Sequence, residues 1–157
     1  MPIDFYYMTG SPPCYTILLL GKTLGLEFNM KYIDYHKKDH KTPEYEKMCP
    51  QQTVPLINDN GFLISESRPI LCYLVEKYAK DDSLYPKDIK KRTIINHRLF
   101  FDIGTLYQGF LDYYICGFDV SKYSNVSKWF TKMKKNLPGY EETVGAGTVD
   151  LRKFLGL

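Results

Sequence analysis

Ser65, Glu66, Ser67 and Arg68 stand side by side immediately before an apolar pattern of helical period, and their side chains are of the kind that hold a charged ligand. Hydroxyls and a carboxylate there face the open amides of a helix start, where anions bind. Upstream, Pro55 cannot donate a ladder hydrogen bond and belongs at the first residue of a strand or on an edge, so Val54 keeps an exposed backbone edge. An extended peptide could pair with that edge through its main chain while its terminal carboxylate reaches the helix amides. The ligand implied is a small acidic peptide. Taken singly, Pro55 reads as a strand-start proline and Ser65 or Glu66 as a helix cap; the order of all of them together is far less generic.

The other reactive side chains are scattered. Ser11-Pro12-Pro13-Cys14 puts a hydroxyl at a favoured helix start, with proline at the first helical position. Ser11 there is by itself an ordinary capping serine, and Cys14 is either a low-pKa thiol or a small packing residue. His36, His40 and His97 lack the spacing of a metal site, so no metal is expected, and His40 alone reads as a solvated loop residue. Cys14, Cys49, Cys72 and Cys116 form neither a metal pattern nor a dense disulfide framework, which points to a reduced, cytoplasmic protein. No signal-peptide core is present and no run approaches the ~20 apolar residues that cross a bilayer, so no membrane association is expected. The net charge is +3, with 9 Lys and Arg against 11 Asp and Glu in residues 1–84 and 12 against 7 in residues 85–157. That split suggests two compositional units and is too weak to imply nucleic acid.

The elements that must position these residues follow from periodicity. Ile3 to Tyr7 is a short β-rich run. Ser11 opens a helix through Ile17, Leu18, Leu20 and Leu24, with Gly25 as its stop, and Phe28, Met30 and Tyr32 alternate as a second strand. A helix between two strands implies a parallel pair. His36 to Lys41 reads as a polar loop, and Thr42-Pro43-Glu44 as a capped helix start. Val54 to Ile57 and Phe62 to Ile64 form a hairpin around Asn60-Gly61. The helix after it runs through Ile70, Leu71, Leu74 and Tyr78, with Glu76, Lys77 and Lys80 toward solvent. The first unit is thus an α/β domain of order βαβαββα. Its expected extent is residues 1–80, with a linker at 81–86 and a helical domain at 87–157. In that second domain Ile95, Leu99, Ile103, Leu106, Phe110 and Tyr113 recur over about seven turns. Gly104 and Gly109 weaken that helix, which close packing against another backbone would explain. Val126, Trp129, Phe130, Met133 and Leu137 mark a further helix stopped by Pro138-Gly139.

Several stretches together resemble the cytosolic glutathione transferases, and more narrowly the insect-type delta and epsilon classes. They are Asp4 to Tyr7, Gly10 to Cys14, Thr53 to Pro55, Asp59 to Phe62, Glu66 to Arg68, Tyr73 to Tyr78, Ser83 to Pro86, Phe101-Asp102 with Gly104 to Tyr107, and Pro138 to Glu142. The resemblance implies a thioredoxin-like N-terminal domain followed by an all-α domain, here truncated. It also implies glutathione as co-substrate, a homodimer, and conjugation of glutathione to hydrophobic electrophiles in detoxification. By the same resemblance Pro55 is the cis-proline of the glutathione site and Val54 pairs with the cysteinyl part. Glu66 holds the γ-glutamyl amine, Ser67 the γ-glutamyl carboxylate, and Arg68 supports them. His40 and Gln52 serve the glycine end. Ser11 falls at the catalytic serine, and Ser11-x-x-Cys14 looks like a thioredoxin Cys-x-x-Cys with its first sulfur replaced by oxygen. Tyr107 and Phe110, with Tyr113 and Tyr114, would line the electrophile pocket, although an aromatic stripe at helical spacing is more often core.

Moving a thiol of pKa about 8.5 to ~6.5 requires about 2.7 kcal/mol of selective thiolate stabilisation. A hydrogen bond to a charged acceptor supplies roughly 1.5 to 3 kcal/mol and a helix N-terminus ~0.3 to 1 more, so a hydroxyl donor at Ser11 nearly suffices. The chain departs from the family at Gln52, where a histidine is usual, and at Tyr15, where an arginine is usual. Between Tyr114 and Phe118 the family has several more helices. That gap implies exposed apolar surface around Leu99, Phe110 and Trp129, and low stability or rescue by dimerisation. The competing function is a binding or interaction protein that keeps the glutathione fold without turnover. A glutaredoxin-like oxidoreductase is disfavoured because Ser11 lacks the sulfur that disulfide exchange requires.

Overall fold

The computed structural model describes residues 2–109, 120–146 and 149. The chain divides into two compact units, Met1–Tyr78 with Leu137–Leu157, and Ala79–Asn136. The first unit is a thioredoxin-like α/β fold, and the helical segments follow it in the chain, as the resemblance implied.

In the first unit β1 (Ile3–Tyr7), α1 (Pro12–Leu24) and β2 (Phe28–Tyr32) come first, then a 3₁₀ turn (Asp39–Lys41) and α2 (Pro43–Met48). After these come β3 (Leu56–Asp59), β4 (Phe62–Ser65) and α3 (Ser67–Tyr78). The four strands lie in the order β2-β1-β3-β4. β1 and β2 are parallel, with Phe5 opposite Met30, as a helical crossover requires. β1 and β3 are antiparallel, with Phe5 opposite Ile57, and so are β3 and β4. β3 begins one residue after Pro55, which has no amide to give the ladder. The hairpin turns through Asn60 and Gly61 at φ 54° and 94°, the paired positive angles that an Asn-Gly loop supplies.

Both faces of the sheet are covered, and the strands alternate accordingly. Ile57 joins Ile3, Phe5, Cys14, Ile17, Ile70 and Leu74 in a core beneath α1 and α3. Leu56, one residue earlier, points the other way and packs with Ile33, Tyr45 and Cys49 beneath α2. Gly21 permits the first of these layers, because a Cβ there would lie 2.3 Å from Phe28 Cε2, and Phe28 in turn meets Phe5 with ring centroids 5.2 Å apart. Thr42 caps α2 by accepting the Tyr45 amide at 3.3 Å.

Asp59 at the end of β3 fastens the hairpin to α3. Its carboxylate accepts from the Tyr73 hydroxyl at 2.7 Å, the Tyr78 hydroxyl at 2.6 Å, the Lys77 ammonium at 2.7 Å and the Asn60 amide at 2.8 Å. Burial pushes the carboxyl up, but the hydrogen bonds from Lys77, Tyr78, Tyr73 and Asn60 outweigh it and hold it well below the ordinary carboxylate range. Lys77 is therefore not simply a solvated residue of the outer face. A later segment, the π-helical turn Glu141–Gly145, packs on α1, where Glu142 pairs with Lys22 and Thr143 is buried.

In the second unit Asp88 caps α4 (Ile89–Phe101) by accepting the Lys91 amide at 2.9 Å. The helix passes through a π turn at Asp102–Leu106 and continues to residue 109. Nothing described lies within 4 Å of a Cβ built on Gly104 or Gly109, so close packing among the described residues does not explain these glycines. Gly104 instead sits inside the π turn, where weak helical propensity eases a departure from the regular ladder. A last helix, α5 (Ser124–Asn136), ends just before Pro138-Gly139 as its composition implied. Its Trp129 is 61% exposed, and Lys134 lies over the Phe130 ring at 4.6 Å. Phe110, Tyr113, Tyr114 and Cys116 lie outside the described residues.

Candidate active site

Ser11 occupies the N-cap of α1, buried, at φ −88° and ψ 108°, yet its side chain makes no cap hydrogen bond. Two of the first three helical positions, Pro12 and Pro13, offer it no amide, which leaves only that of Cys14. An N-cap oxygen normally accepts from the second or third helical amide, and Pro13 at the second position has none. Pro12 lacks one too, and the Tyr15 amide goes to the Ser11 carbonyl at 3.1 Å. The first turn of α1 is therefore poor in free amides, and the Ser11 hydroxyl is not consumed in capping.

Cys14 one turn on is fully buried in the core. Burial pushes its thiol up to about 11, against hydrogen bonding from the Ser11 side chain and the Met8 backbone. It is a packing residue that keeps its proton at neutral pH, and a thiol is a weak competitor for a hydroxyl. Tyr15, the departure from the family's arginine, is buried too, and its hydroxyl accepts the Gly10 amide, tying the loop before Ser11 to α1.

The Val54–Pro55 peptide bond is cis, as the resemblance implied. Pro55 is buried and Val54 half-buried. The segment entering it is held from α2: the Tyr45 hydroxyl donates to the Thr53 carbonyl at 2.7 Å, and the Cys49 thiol approaches the same oxygen at 3.6 Å. Burial, and next the neighbouring Cys49, raise the Tyr45 pKa, so this hydroxyl stays a donor. On the other side Tyr35 has its pKa raised by burial although the Val54 amide pulls it down.

At the head of α3, Glu66 holds φ 70°, a left-handed conformation uncommon for a side-chain-bearing residue and of the kind retained where a site needs it. Its carbonyl accepts the Ile70 amide at 3.1 Å, which begins the helix, while its side chain is exposed. Ser67 is buried, and Arg68 donates from Nη1 to the Ser67 hydroxyl at 2.8 Å. Glu66, Ser67 and Arg68 thus stand together at a helix start, as their order in the sequence suggested.

His40 corrects the expectation of a solvated loop residue. It is buried on a 3₁₀ turn, stacked on Tyr35 with ring centroids 3.9 Å apart and planes 14° apart. Burial lowers its pKa below the ordinary value, so the ring is neutral at neutral pH. Gln52, at φ 55°, accepts from the Lys41 ammonium at 2.7 Å. Tyr107 is half-buried in the second unit. Tyr35, Lys41 and Tyr45 were not singled out from sequence. Their partners lie five to eleven residues away through loops, where no period marks them.

Residues 1–76 match the model of the glutathione S-transferase N-terminal domain. A delta-class glutathione transferase structure from Nilaparvata lugens is 35% identical, with 97% of each chain covered and a TM-score of 0.89. The chain belongs to the glutathione transferase family. An epsilon-class glutathione transferase from the housefly Musca domestica is 29% identical over 98% of this chain and 97% of its own, at a TM-score of 0.85. A glutathione transferase homologue from a Drosophila species, solved with bound glutathione, is 25% identical over 96% and 94%, at 0.83. Family membership carries a glutathione transferase role. Among the described residues no group of His, Cys, Asp and Glu could hold a metal ion, and no helix is long and apolar enough to cross a membrane.

Proposed function

We propose that this glutathione transferase joins the glutathione thiolate to hydrophobic electrophiles, with Ser11 as the hydroxyl donor that keeps the sulfur anionic. The observation that carries this is the buried Ser11 hydroxyl at the head of α1, which makes no cap hydrogen bond. The thiol loses its proton to solvent, and the thiolate attacks the electrophilic carbon. A carbon–sulfur bond forms and the leaving group departs with its electron pair.

Glutathione lies extended, its cysteinyl main chain paired with Val54 beside Pro55. Glu66 takes the γ-glutamyl amine and Ser67 the γ-glutamyl carboxylate, with Arg68 bracing Ser67. His40 and Gln52 serve the glycine end. Tyr107 and Phe110 contact the apolar electrophile. A cytoplasmic location agrees with Cys14, Cys49 and Cys72 standing outside any disulfide, and exposed Phe100, Phe101 and Trp129 support a homodimer.

The test is conjugation of a chloronitrobenzene by the native chain and by Ser11→Ala, alongside glutathione binding. Loss of turnover with binding retained is expected. Equal rates would remove Ser11 from the mechanism, and binding without conjugation by the native chain would favour a binding protein.

A further inference from the structure

Between Ser121 and Tyr140 the chain has five lysines and no aspartate or glutamate, and most of that stretch is the helix α5. At about 100° per residue, Val126, Trp129, Phe130 and Met133 fall in an arc roughly 100° wide. Lys132 and Lys134 flank this stripe on its two sides, while Lys128 and Lys135 lie behind it. In an ordinary surface helix such a stripe is turned to a core, but here it is open: Trp129 is 61% exposed, Val126 47% and Phe130 44%. Among the described elements α5 packs chiefly on the short 3₁₀ turn Val120–Lys122 that precedes it. Its four lysines are all exposed.

What covers this face must offer apolar contact and negative charge together. Laying α5 on the α5 of a second copy would set lysines against lysines with no acid between them. A nucleic acid would leave Val126 and Met133 in water. An acidic groove on another protein would reward arginine, whose fork grips carboxylates in pairs, yet all five cations are lysine, a hydrated point charge. The headgroup layer of an anionic bilayer meets both requirements. It has acyl chains for the stripe, a level at which Trp and Tyr rings settle, and a diffuse negative field for ammonium groups on long stems. Tyr123, 49% exposed just before α5, adds a second ring of that kind.

We infer that α5 is a membrane-surface helix, laid flat on anionic phospholipid with Val126, Trp129, Phe130 and Met133 inward and Lys132 and Lys134 among the headgroups. Such a helix lies in the interface and does not cross it. The lack of a spanning run, on which the expectation of no membrane association rested, therefore does not bear on it. It uses no residue of the glutathione site.

Trp129 is the only tryptophan of the chain, so its emission reports on α5 alone. The full chain is titrated with phosphatidylcholine vesicles and with vesicles of equal parts phosphatidylserine and phosphatidylcholine, and bound protein is measured by cosedimentation. The anionic vesicles should shift the emission to the blue and quench it when their lipid is brominated, and phosphatidylcholine alone should do neither. Lys132→Gln with Lys134→Gln should weaken binding about 25-fold, at about fivefold for each lysine near the surface. Phe130→Ser should weaken it about tenfold, the low end for burying such a ring. The same charge change at the exposed Lys87 and Lys90 should leave binding unaltered, all variants being compared at matched far-ultraviolet circular dichroism. No shift with either vesicle, equal binding to both, or an equal loss in the Lys87 and Lys90 variant overturns the assignment. So does a blue shift that grows with protein concentration in the absence of lipid, which would give the face to a second copy.

Discussion

Asp59→Asn is a sharp test of how the glutathione-binding unit is held together. The wild-type carboxylate is buried and takes four donors: two tyrosine hydroxyls, one ammonium and one amide. An asparagine of the same shape must turn its NH₂ toward some of them, setting donor against donor. Breaking a buried charged network costs about 3 to 5 kcal/mol. Here the Lys77 side chain is 43% exposed and can swing to water, so about 2 to 3 kcal/mol is the expected loss. For a chain of this size that is a fall in Tm of roughly 4 to 12 °C.

The pH dependence carries the sign. Asp59 is held below the ordinary carboxylate range when folded and titrates near ~3.9 when unfolded. Its contribution is therefore complete above about pH 5 and is lost as pH falls below ~4 toward the folded value. Urea unfolding of both proteins from pH 7 to pH 2.5 should show a deficit in Asp59→Asn that narrows on the acid side. Coincident midpoints at pH 7, or a deficit that stays constant down to pH 2.5, would refute the reasoning.

Other consequences are equally direct. Cys14, buried and with its thiol raised to about 11, should resist iodoacetamide at pH 7.5 and be alkylated in urea; rapid labelling of the folded chain by mass spectrometry would contradict its role as a packing residue. Tyr45→Phe removes the hydroxyl on the Thr53 carbonyl, costing about 1 kcal/mol of stability, and should raise the KM for glutathione more than it lowers kcat. If the chain is a homodimer, its urea midpoint should rise with protein concentration; a midpoint constant over a hundredfold range would exclude that.

Much of the architecture is legible locally. Asn60-Gly61 marks the hairpin, Thr42-Pro43 a capped helix, and the alternation of Phe28, Met30 and Tyr32 a strand, because turns, caps and period-two faces are decided within a few residues. Likewise Glu66, Ser67 and Arg68 are neighbours in sequence and at one helix start. Side-chain partnerships across the fold carry no such mark. Asp59 reads as a turn residue until Tyr73, Lys77 and Tyr78 converge on it from α3, fourteen to nineteen residues away. His40 reads as solvated because the ring that covers it, Tyr35, comes from the far side of a polar loop. Ser11 is an instance of a local rule overridden by another: serine favours capping, but the prolines after it remove an amide it would cap.

The central claim is that a hydroxyl at Ser11 keeps the sulfur of bound glutathione anionic. Titrating the ultraviolet absorbance of the thiolate in the glutathione complexes of the native chain and of Ser11→Ala tests it most directly. The native complex should titrate near ~6.5, and the variant's should return toward the ~8.5 of a free thiol, a difference of about 2.7 kcal/mol. The same apparent pKa in both complexes would contradict it.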